Sequence, residues 1–548
     1  MLKKRLLFKI CFAFLLPLIP HLRTQCDTYP RQRDLHVDHY IFRVTLSDST
    51  NEISGEATVA LHFLAAGTTQ FELDLIQKRQ DGKGMYVSSV TSGGQSLRYE
   101  QLNNRLRIFL PSPSRRAQAG EYTISYHGRP AAGLLIGPNR YGDRSFDTNN
   151  WPDKARQWLP CIDHPYNKAT DEMVVTAPAR YQVVSNGRLL EQTDLPGGMR
   201  RTLWQESVPI ASWLYALAAA PYAVQYLGEA DGVPIETWVY PQERESGFKG
   251  FGTFTKPILK FYIDRIGPFP YEKLANVEAN GTSGGMELAS DIFYGYRPDG
   301  ITTIQGRQLI AHEMAHQWFG DSVTESDWDD VWLSEGFATY FALAYLKHAD
   351  GRDAFVNALD QSRDFILKFS AKHPDYTIVH NNISDLSTLL TNQIYQKGAW
   401  TLHMLHDLLG APLFWAGIRE YYKHYRNSNA STADFQHVME QVSGKDLSWF
   451  FREWLHQGGY LKIAGSWRYD GRARQLTVEL EQEQKGELFR MPIPVGITPG
   501  GDASKEVITP LLVTSRRDRF TIALDHEPSF VVLDPNTSVL MQSRLVRK

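Results

Sequence analysis

The sequence HEMAHQWFGD occupies residues 312–321, and WLSEGFA follows at residues 332–338. Apolar residues recur at three- and four-residue spacing from Ile304 to Phe319, which predicts a helix. His312 and His316 are four residues apart, so they share one face of that helix and can reach the same metal ion. The first segment therefore predicts a pair of metal-binding imidazoles.

Glu335 is the third predicted ligand. It follows His316 after an intervening stretch of 18 residues. It lies in a segment that continues to Lys347 with a helical pattern, and Ser334 is the predicted start signal of this helix. Two packed helices can present His, His and Glu to one Zn²⁺ and leave a coordination position open for water. The alternative is two surface helices with ordinary histidines and glutamates, but the residue types favour a catalytic site with one zinc per chain.

Glu313 is the predicted general base. It stands beside the first predicted ligand on the same helical turn, close to the place where a zinc-bound water would lie. Zinc lowers the pKa of that water, and a carboxylate can then accept the proton and pass it to a leaving amine. The segment as a whole therefore predicts a single-zinc metallopeptidase.

Length and charge limit the remaining architecture. The chain has 548 residues and a formal net charge of -3, which indicates several globular domains. This charge offers no basic surface for a nucleic acid, so no nucleic-acid partner is expected. Three cysteines are too few for a disulfide framework, and the fold must be stabilised by its hydrophobic cores. Oligomeric state and the preferred N-terminal residue of a substrate have no signal in the sequence.

The predicted fold class is multidomain α+β, with three domains after residue 25. Residues 26–225 alternate apolar and polar side chains in short segments, which predicts an N-terminal antiparallel β-sheet domain. Residues 226–457 carry the long helical patterns and form the predicted, mainly α, catalytic domain. Residues 458–548 return to β patterns and predict a small C-terminal β-sandwich.

Residues 1–25 have the pattern of a secretory signal peptide. Basic residues at positions 3–5 precede an apolar run from Ile10 to Ile19, and this run is too short to span a bilayer. The pattern predicts export to the periplasm or the cell exterior. A membrane-anchored start and an ordinary buried helix are the alternatives. A lipid on Cys26 would tether the protein to the envelope, although residues 23–25 match a lipobox poorly.

The zinc segment resembles the signature of the M1 family of gluzincin aminopeptidases, relatives of aminopeptidase N and leukotriene A4 hydrolase. Further stretches agree in order: ARQWLPCIDHP at residues 155–165, GGMEL at 284–288 and YQKGA at 395–399. They resemble the family motifs A-R-x-x-x-P-C-x-D-x-P, G-x-M-E-N and Y-x-K-G-A. The resemblance covers the chain from about residue 35 to 460 and implies a thermolysin-like catalytic domain.

The resemblance also implies roles for two more side chains. Glu287, with Gly285 and Met286 beside it, would bind the α-ammonium of a peptide with a free N-terminus. Tyr395 would donate a hydrogen bond to the tetrahedral oxyanion. A buried carboxylate facing an ammonium is a charge-assisted pair, whereas an internal residue offers only an amide. Without the motifs, Glu287 would be taken for a surface glutamate and Tyr395 for a packed core tyrosine. The implied activity is that of an aminopeptidase.

Two positions depart from the family pattern. Leu288 replaces the usual Asn after the glutamate, and Trp151 replaces the Gln or Glu that serves as a second acceptor for the amine. Trp151 would line the substrate pocket and stack on the substrate, or it would pack in the core beside Pro152. Asp147 or Asp153 would be the substitute acceptor.

Two other functions stay open on the sequence alone. A thermolysin-type zinc endopeptidase would use the same metal site without needing Glu287, and the changes at Leu288 and Trp151 favour this alternative slightly. A non-catalytic secreted binding scaffold would predict the loss of a zinc ligand or of Glu313, and none is lost.

Overall fold

A computed structural model describes residues 27–295, 301–500 and 506–548. A β region, a mainly helical region and a second β region follow one another along the chain, so the multidomain α+β class is confirmed. The predicted signal peptide, residues 1–25, and Cys26 lie outside the described residues. Across the described ranges, no helix is long and apolar enough to cross a membrane.

The N-terminal region contains an eight-stranded, a four-stranded and a three-stranded sheet. Its strands are β1 (Leu35–Thr45), β2 (Ile53–Phe63), β3 (Gln70–Asp74), β4 (Gly84–Ser92), β5 (Gln95–Ser96), β6 (Tyr99–Leu102), β7 (Arg105–Phe109), β8 (Ala119–Arg129), β9 (Gly133–Pro138), β10 (Arg144–Asn149), β11 (Ala169–Pro178), β12 (Gln182–Ser185), β13 (Arg188–Leu195), β14 (Met199–Ile210) and β15 (Leu217–Ala220). The eight-stranded sheet has the order β13-β14-β11-β1-β2-β8-β4-β5, and the order β12-β15-β10-β9 forms a second sheet. Strand β11 alternates buried and half-buried residues along its length, because one face of this sheet packs on the core.

A five-stranded sheet opens the catalytic region. It contains β16 (Ala223–Ala230), β17 (Val233–Val239), β18 (Leu274–Glu278), β19 (Gly285–Met286) and β20 (Asp291–Tyr294), in the order β16-β17-β18-β20-β19. Residues 226–457 were expected to be mainly helical, and this sheet was missed because β18 and β20 are buried on both faces and show no alternation. The expected boundary after residue 225 is also corrected: it falls inside β16.

Helices make up most of the rest of the catalytic region. They are α1 (Arg244–Arg265), α2 (Ile304–His316), α3 (Trp332–Asp350), α4 (Arg352–Lys372), α5 (Gly398–Leu409), α6 (Ala411–Tyr425), α7 (Thr432–Ser443) and α8 (Ser448–Leu455), with the short paired strands β21 (Val323–Glu325) and β22 (Ser428–Ala430) between them. Helix α3 begins at Trp332, so Ser334 lies inside its first turn and is not the start signal that the sequence predicts.

The C-terminal region begins after α8 and contains two sheets. Its strands are β23 (Leu461–Asp470), β24 (Gln475–Gln482), β25 (Met491–Pro499), β26 (Val507–Val513), β27 (Arg517–Ala523), β28 (Pro528–Leu533) and β29 (Met541–Arg547). Strands β27-β24-β23-β29 form one sheet and β26-β25-β28 the other. The expected boundary after residue 457 lies in the connection between α8 and β23.

Candidate metal centre and active site

Helices α2 and α3 bring the three predicted ligands together. Nε2 of His312 lies 3.1 Å from Nε2 of His316, and each of these nitrogens lies 3.3 Å from Oε2 of Glu335. The three donor atoms therefore form a nearly equilateral triangle.

This triangle fits a zinc ion. Tetrahedral zinc with bonds of about 2.0–2.1 Å separates its ligand atoms by about 3.3 Å. Oε2 of Glu335 is buried and has no hydrogen-bond partner among the described residues, which is the state expected of an oxygen reserved for a metal. His312, His316 and Glu335 are also one of two described groups whose ligand atoms converge closely enough to hold an ion.

The second nitrogen of His316 is occupied by neighbouring groups. Nδ1 lies 3.0 Å from Oγ of Ser334 and 3.3 Å from the carbonyl oxygen of Phe319. A proton on Nδ1 can be donated to that carbonyl, which leaves Nε2 with a free lone pair for the metal. Ser334 thus helps to orient the imidazole of His316. Its position next to Glu335 in the sequence does not predict this contact.

The surrounding charges favour a cation. Burial alone would lower the pKa of His316, but the carboxylates of Glu287, Glu335 and Glu313 raise it to about 10. Burial opposes ionisation of Glu335, yet the adjacent imidazoles of His312 and His316 keep its pKa below the ordinary value. The three carboxyl groups therefore favour a positive charge at His316, which either a proton or a metal ion can supply.

Glu313 lies beside the metal ligands with its side chain almost fully buried. Gly285 packs directly against the Glu313 carboxyl group, so the predicted base and the predicted amine-binding segment are in contact. Burial and the charge of Glu287 raise the pKa of Glu313 well above its ordinary value. A carboxylate with a raised pKa is a better proton acceptor near neutral pH.

Glu287 follows β19, the edge strand of the five-stranded sheet. Its side chain is 5% exposed, and burial raises its pKa to about 7. Glu287 and Gly285 line the same cavity as the metal ligands. Met286 is buried in the core and is not one of the described residues that line this cavity, so of the predicted amine-binding trio only Glu287 and Gly285 face the site.

Tyr395 contacts two of the predicted metal ligands, Glu335 and His312. It lies in a π-helical turn, Gln393–Lys397, directly before α5, and such turns are frequent at functional sites. Its hydroxyl donates a hydrogen bond of 2.9 Å to Oε1 of Glu335, and its ring stacks on His312 at 6.0 Å. Burial and the nearby Glu335 charge raise the pKa of Tyr395 well above the ordinary value, so the hydroxyl keeps its proton and stays a donor.

The cavity around these groups has a volume of about 520 Å³, within the usual range of ligand sites. Its lining includes Gly284, Gly285 and Glu287. Side chains from α2, α3 and α4 also line it: Gln305, Gln308, Leu309, Thr339, Ala342, Leu343, Ala358, Gln361, Ser362 and Phe365.

The structure does not support a pocket role for Trp151. Its ring packs edge-on against Trp213 at 4.7 Å and Trp328 at 5.0 Å, and it is absent from the described cavity lining. This placement matches the core alternative. Asp153 forms an ion pair with Arg156, and Asp147 is buried with its Oδ2 atom 3.5 Å from the hydroxyl of Ser145. Neither is among the described residues that line the cavity.

Gln317 is a residue of the site that the sequence did not single out. It follows the last residue of α2 and is fully buried. Its amide nitrogen donates to the backbone carbonyl oxygens of Glu287 at 3.2 Å and Leu288 at 3.3 Å. Gln317 therefore joins the end of the helix that carries the two histidines to the predicted amine-binding segment. The two are far enough apart in sequence that no local pattern predicts the contact.

Known proteins resemble this chain over the regions just described. The Peptidase M1 N-terminal domain matches residues 36–214, and the Peptidase family M1 domain matches residues 255–454. A glutamyl aminopeptidase of Bitis rhinoceros is 28% identical over 57% of this chain and 34% of its own length. A probable aminopeptidase 2 of Sulfurisphaera tokodaii is 27% identical over 76% of this chain and 54% of its own length.

A solved structure shares the architecture. The crystal structure of the M1 zinc metallopeptidase from Deinococcus radiodurans superposes with a TM-score of 0.64 at 25% identity, covering 77% of this chain and 94% of that one. The chain spans 34% of the length of the Bitis glutamyl aminopeptidase.

Proposed function

This chain belongs to peptidase family M1, and from that membership we propose that it is a zinc-dependent aminopeptidase that hydrolyses the N-terminal bond of peptides. The observation that carries the proposal is the position of Glu287. This buried carboxylate lies in the same cavity as the predicted base and the three metal ligands, where it can receive a free ammonium group beside the bond that is cut.

The metal ligands and Glu313 account for the hydrolysis. Zinc bound by His312, His316 and Glu335 would lower the pKa of a water molecule and polarise the substrate carbonyl. Glu313 accepts a proton from the attacking water, because its buried carboxyl group lies beside the metal ligands and burial makes it a stronger base than an ordinary glutamate. It then passes that proton to the nitrogen of the leaving peptide, which departs as a neutral amine.

Tyr395 stabilises the charge that develops on the substrate oxygen. Its hydroxyl already points at Glu335, within the metal centre, and keeps its proton because of its raised pKa. The hydroxyl has a single proton, so it would turn from Oε1 of Glu335 to the substrate oxygen as negative charge develops there, a short rotation within a buried site.

Glu287 makes the proposed enzyme an aminopeptidase. A buried carboxylate and an ammonium form a charge-assisted pair, whereas an internal peptide amide at the same place would leave the carboxylate without a counter-charge. Strand β19 is at the edge of its sheet, so the substrate backbone can pair with Gly285 as an added strand. The rest of the peptide then extends toward Gln308 and Phe365.

The test is a comparison of free and blocked substrates. Aminoacyl anilides should be hydrolysed when their amine is free, and their N-acetylated twins should be nearly inert. A chelator should abolish the activity, and added Zn²⁺ should restore it. Equal rates on free and acetylated substrates would reject the aminopeptidase proposal in favour of a thermolysin-type endopeptidase. No hydrolysis by zinc-loaded protein would favour a binding scaffold.

We also propose that the protein is exported to the periplasm or cell exterior. Support comes only from the residue pattern of the first 25 positions, which lie outside the described residues. Cell fractionation of the expressed full chain, with N-terminal sequencing of the product, tests this proposal. Recovery of the uncleaved chain in the cytoplasm would contradict it, and release of the protein by Cys26→Ser would indicate a lipid tether.

A further inference from the structure

The segment that carries the amine-binding glutamate, Glu287–Asp291, is clamped between two parts of the molecule. On the side of the N-terminal region, Nδ2 of Asn186 donates to the carbonyl oxygen of Ala289 at 2.6 Å. The backbone N–H of Gly187 donates to Oγ of Ser290 at 2.8 Å. These contacts fix the far end of the segment but do not reach Glu287 itself.

Gln317 makes the contacts on the other side. Its amide nitrogen donates to the carbonyl oxygens of Glu287 and Leu288, and its amide oxygen accepts the backbone N–H of Ser290 at 2.8 Å. The nitrogen also donates to Oδ2 of Asp321 at 2.8 Å. Since both ends of the amide are used, the orientation of this side chain is fully determined.

The segment needs such a constraint. Ser290 has a φ of 63°, a left-handed conformation that costs free energy in a non-glycine residue and persists only where the surroundings enforce it. Leu288 is buried and apolar, so no polar side chain at that position ties the segment to α2. The backbone contacts of Gln317 supply that tie next to Glu287.

We infer that Gln317 is a positioning residue for amine recognition: it sets the distance between the Glu287 carboxylate and the metal ligands of α2. Gln317 directly follows His316, so one short piece of chain fixes both the metal and the backbone that carries the amine acceptor. A bound peptide requires this spacing to match the separation between its ammonium group and its first carbonyl. The inference deepens the proposed function and rests on it.

The test measures recognition of the amine separately from catalysis. The probes are an α-amino acid hydroxamate and the same hydroxamate without its amino group, with the holoenzyme. Both bind the metal by the same group. The inhibition constant of the probe without the amino group, divided by that of the amino probe, is therefore a ratio that reports only the contribution of the amine. The variants are Gln317→Met, which keeps the size of the side chain without its hydrogen bonds, and Gln317→Glu, which keeps the acceptor for Ser290 but loses the donors.

Gln482→Met is the matched control. Gln482 is also buried, and its amide donates to the carbonyl oxygens of Phe489 and Ser515 and accepts the N–H of Phe489. It lies on β24 in the C-terminal region, so its loss reproduces the cost of removing a buried amide without touching the site. Zinc content and melting temperature are measured for every variant.

In both Gln317 variants the ratio should be about tenfold or more below its wild-type value, while the zinc content stays at one per chain. In Gln482→Met the ratio should equal the wild-type value. A large wild-type ratio that both Gln317 variants retain would overturn the inference and leave the proposed function standing. A wild-type ratio near one would reject amine recognition by Glu287, and with it both the proposed function and the inference.

Discussion

Three carboxylates and two imidazoles share the buried centre of this protein, and their roles follow from their partners. Oε2 of Glu335 and the facing nitrogens of His312 and His316 lie within 3.3 Å of one another. Glu313 and Glu287 lie against this triangle and have raised pKa values because of burial. The triangle of Glu335 and the two histidines can bind a metal. Glu313 can accept and donate a proton, and Glu287 can bind an ammonium group.

Glu313→Gln should retain zinc and lose nearly all turnover. The amide has the same shape but cannot accept a proton, and loss of a general base costs about 10²–10⁴-fold in rate. Zinc content measured by atomic absorption and kcat on a free-amine anilide check this together. Full activity in a zinc-loaded variant would refute the assignment of the base.

Tyr395→Phe should lower kcat by about 10²–10³-fold, the usual cost of removing one oxyanion donor, with a smaller change in KM. Tyr376→Phe is the matched control, because its hydroxyl contacts Thr391 and His380 outside the cavity. Steady-state kinetics give kcat and KM for both variants. Equal decreases of kcat in the two would show that Tyr395 has only a packing role.

The sequence predicts the two histidine ligands and the proposed base because their arrangement is local. His312, Glu313 and His316 occupy just over one turn of a single helix, where spacing alone determines the geometry. Gln317 and Ser334 could not be predicted in the same way, since their roles depend on contacts between segments that the fold brings together. The packing of the half-buried Trp151 against two other tryptophans is also a tertiary property.

At the scale of elements, α3 and α5 meet at two glycines. A Cβ atom on Gly336 would lie 3.0 Å from the Cα atom of Gly398, closer than side chains ordinarily approach. Gly336 follows Glu335, and Gly398 lies one helical turn after Tyr395. The close contact of the two helices therefore sets the distance between the metal ligand Glu335 and Tyr395, the proposed oxyanion donor.

Gly336→Ala should force these helices apart by a few tenths of an ångström, lowering kcat about tenfold and reducing the melting temperature. Gly252→Ala is the control within α1, where the added Cβ meets only Leu227 at an ordinary 3.4 Å. That substitution should leave kcat unchanged and increase stability slightly, because alanine favours helix. Unchanged activity in Gly336→Ala would contradict the proposed spacing role.

Long periodic helices were predictable at this scale, whereas the five-stranded sheet was not. Strands β18 and β20 are short and buried on both faces, so their sequences lack the period of two that identifies a strand. This matters for the site, because β19 at the edge of that sheet carries Gly285 and leads into Glu287.

At the scale of the whole molecule, buried acids connect stability to pH. Asp171 and Glu206 are opposite each other on β11 and β14, and both are buried. Burial, together with the nearby charges of Glu172 and Glu272, raises the pKa of Asp171 to about 8. In the unfolded chain the pKa of the same carboxyl group would be about 3.9.

Asp171→Asn should therefore gain stability relative to the wild type as pH rises. The folded protein binds this proton more tightly than the unfolded chain, so the contribution of Asp171 is fully present below about pH 4. It is lost as pH rises to about 8, while asparagine stays neutral throughout. Melting temperatures of both proteins across this range give the measurement, with Asp194→Asn on β13 as an exposed control. A difference that does not change with pH would contradict the raised pKa.

The central claim is that this zinc centre removes residues from free peptide N-termini, and mass spectrometry of a single digest tests it most directly. An unmodified peptide and its N-acetylated twin are incubated together with the zinc-loaded protein. The free peptide should give a ladder of products shortened from its N-terminus, the acetylated twin should stay intact, and no products should form when a chelator is present. Internal fragments from both peptides would contradict it.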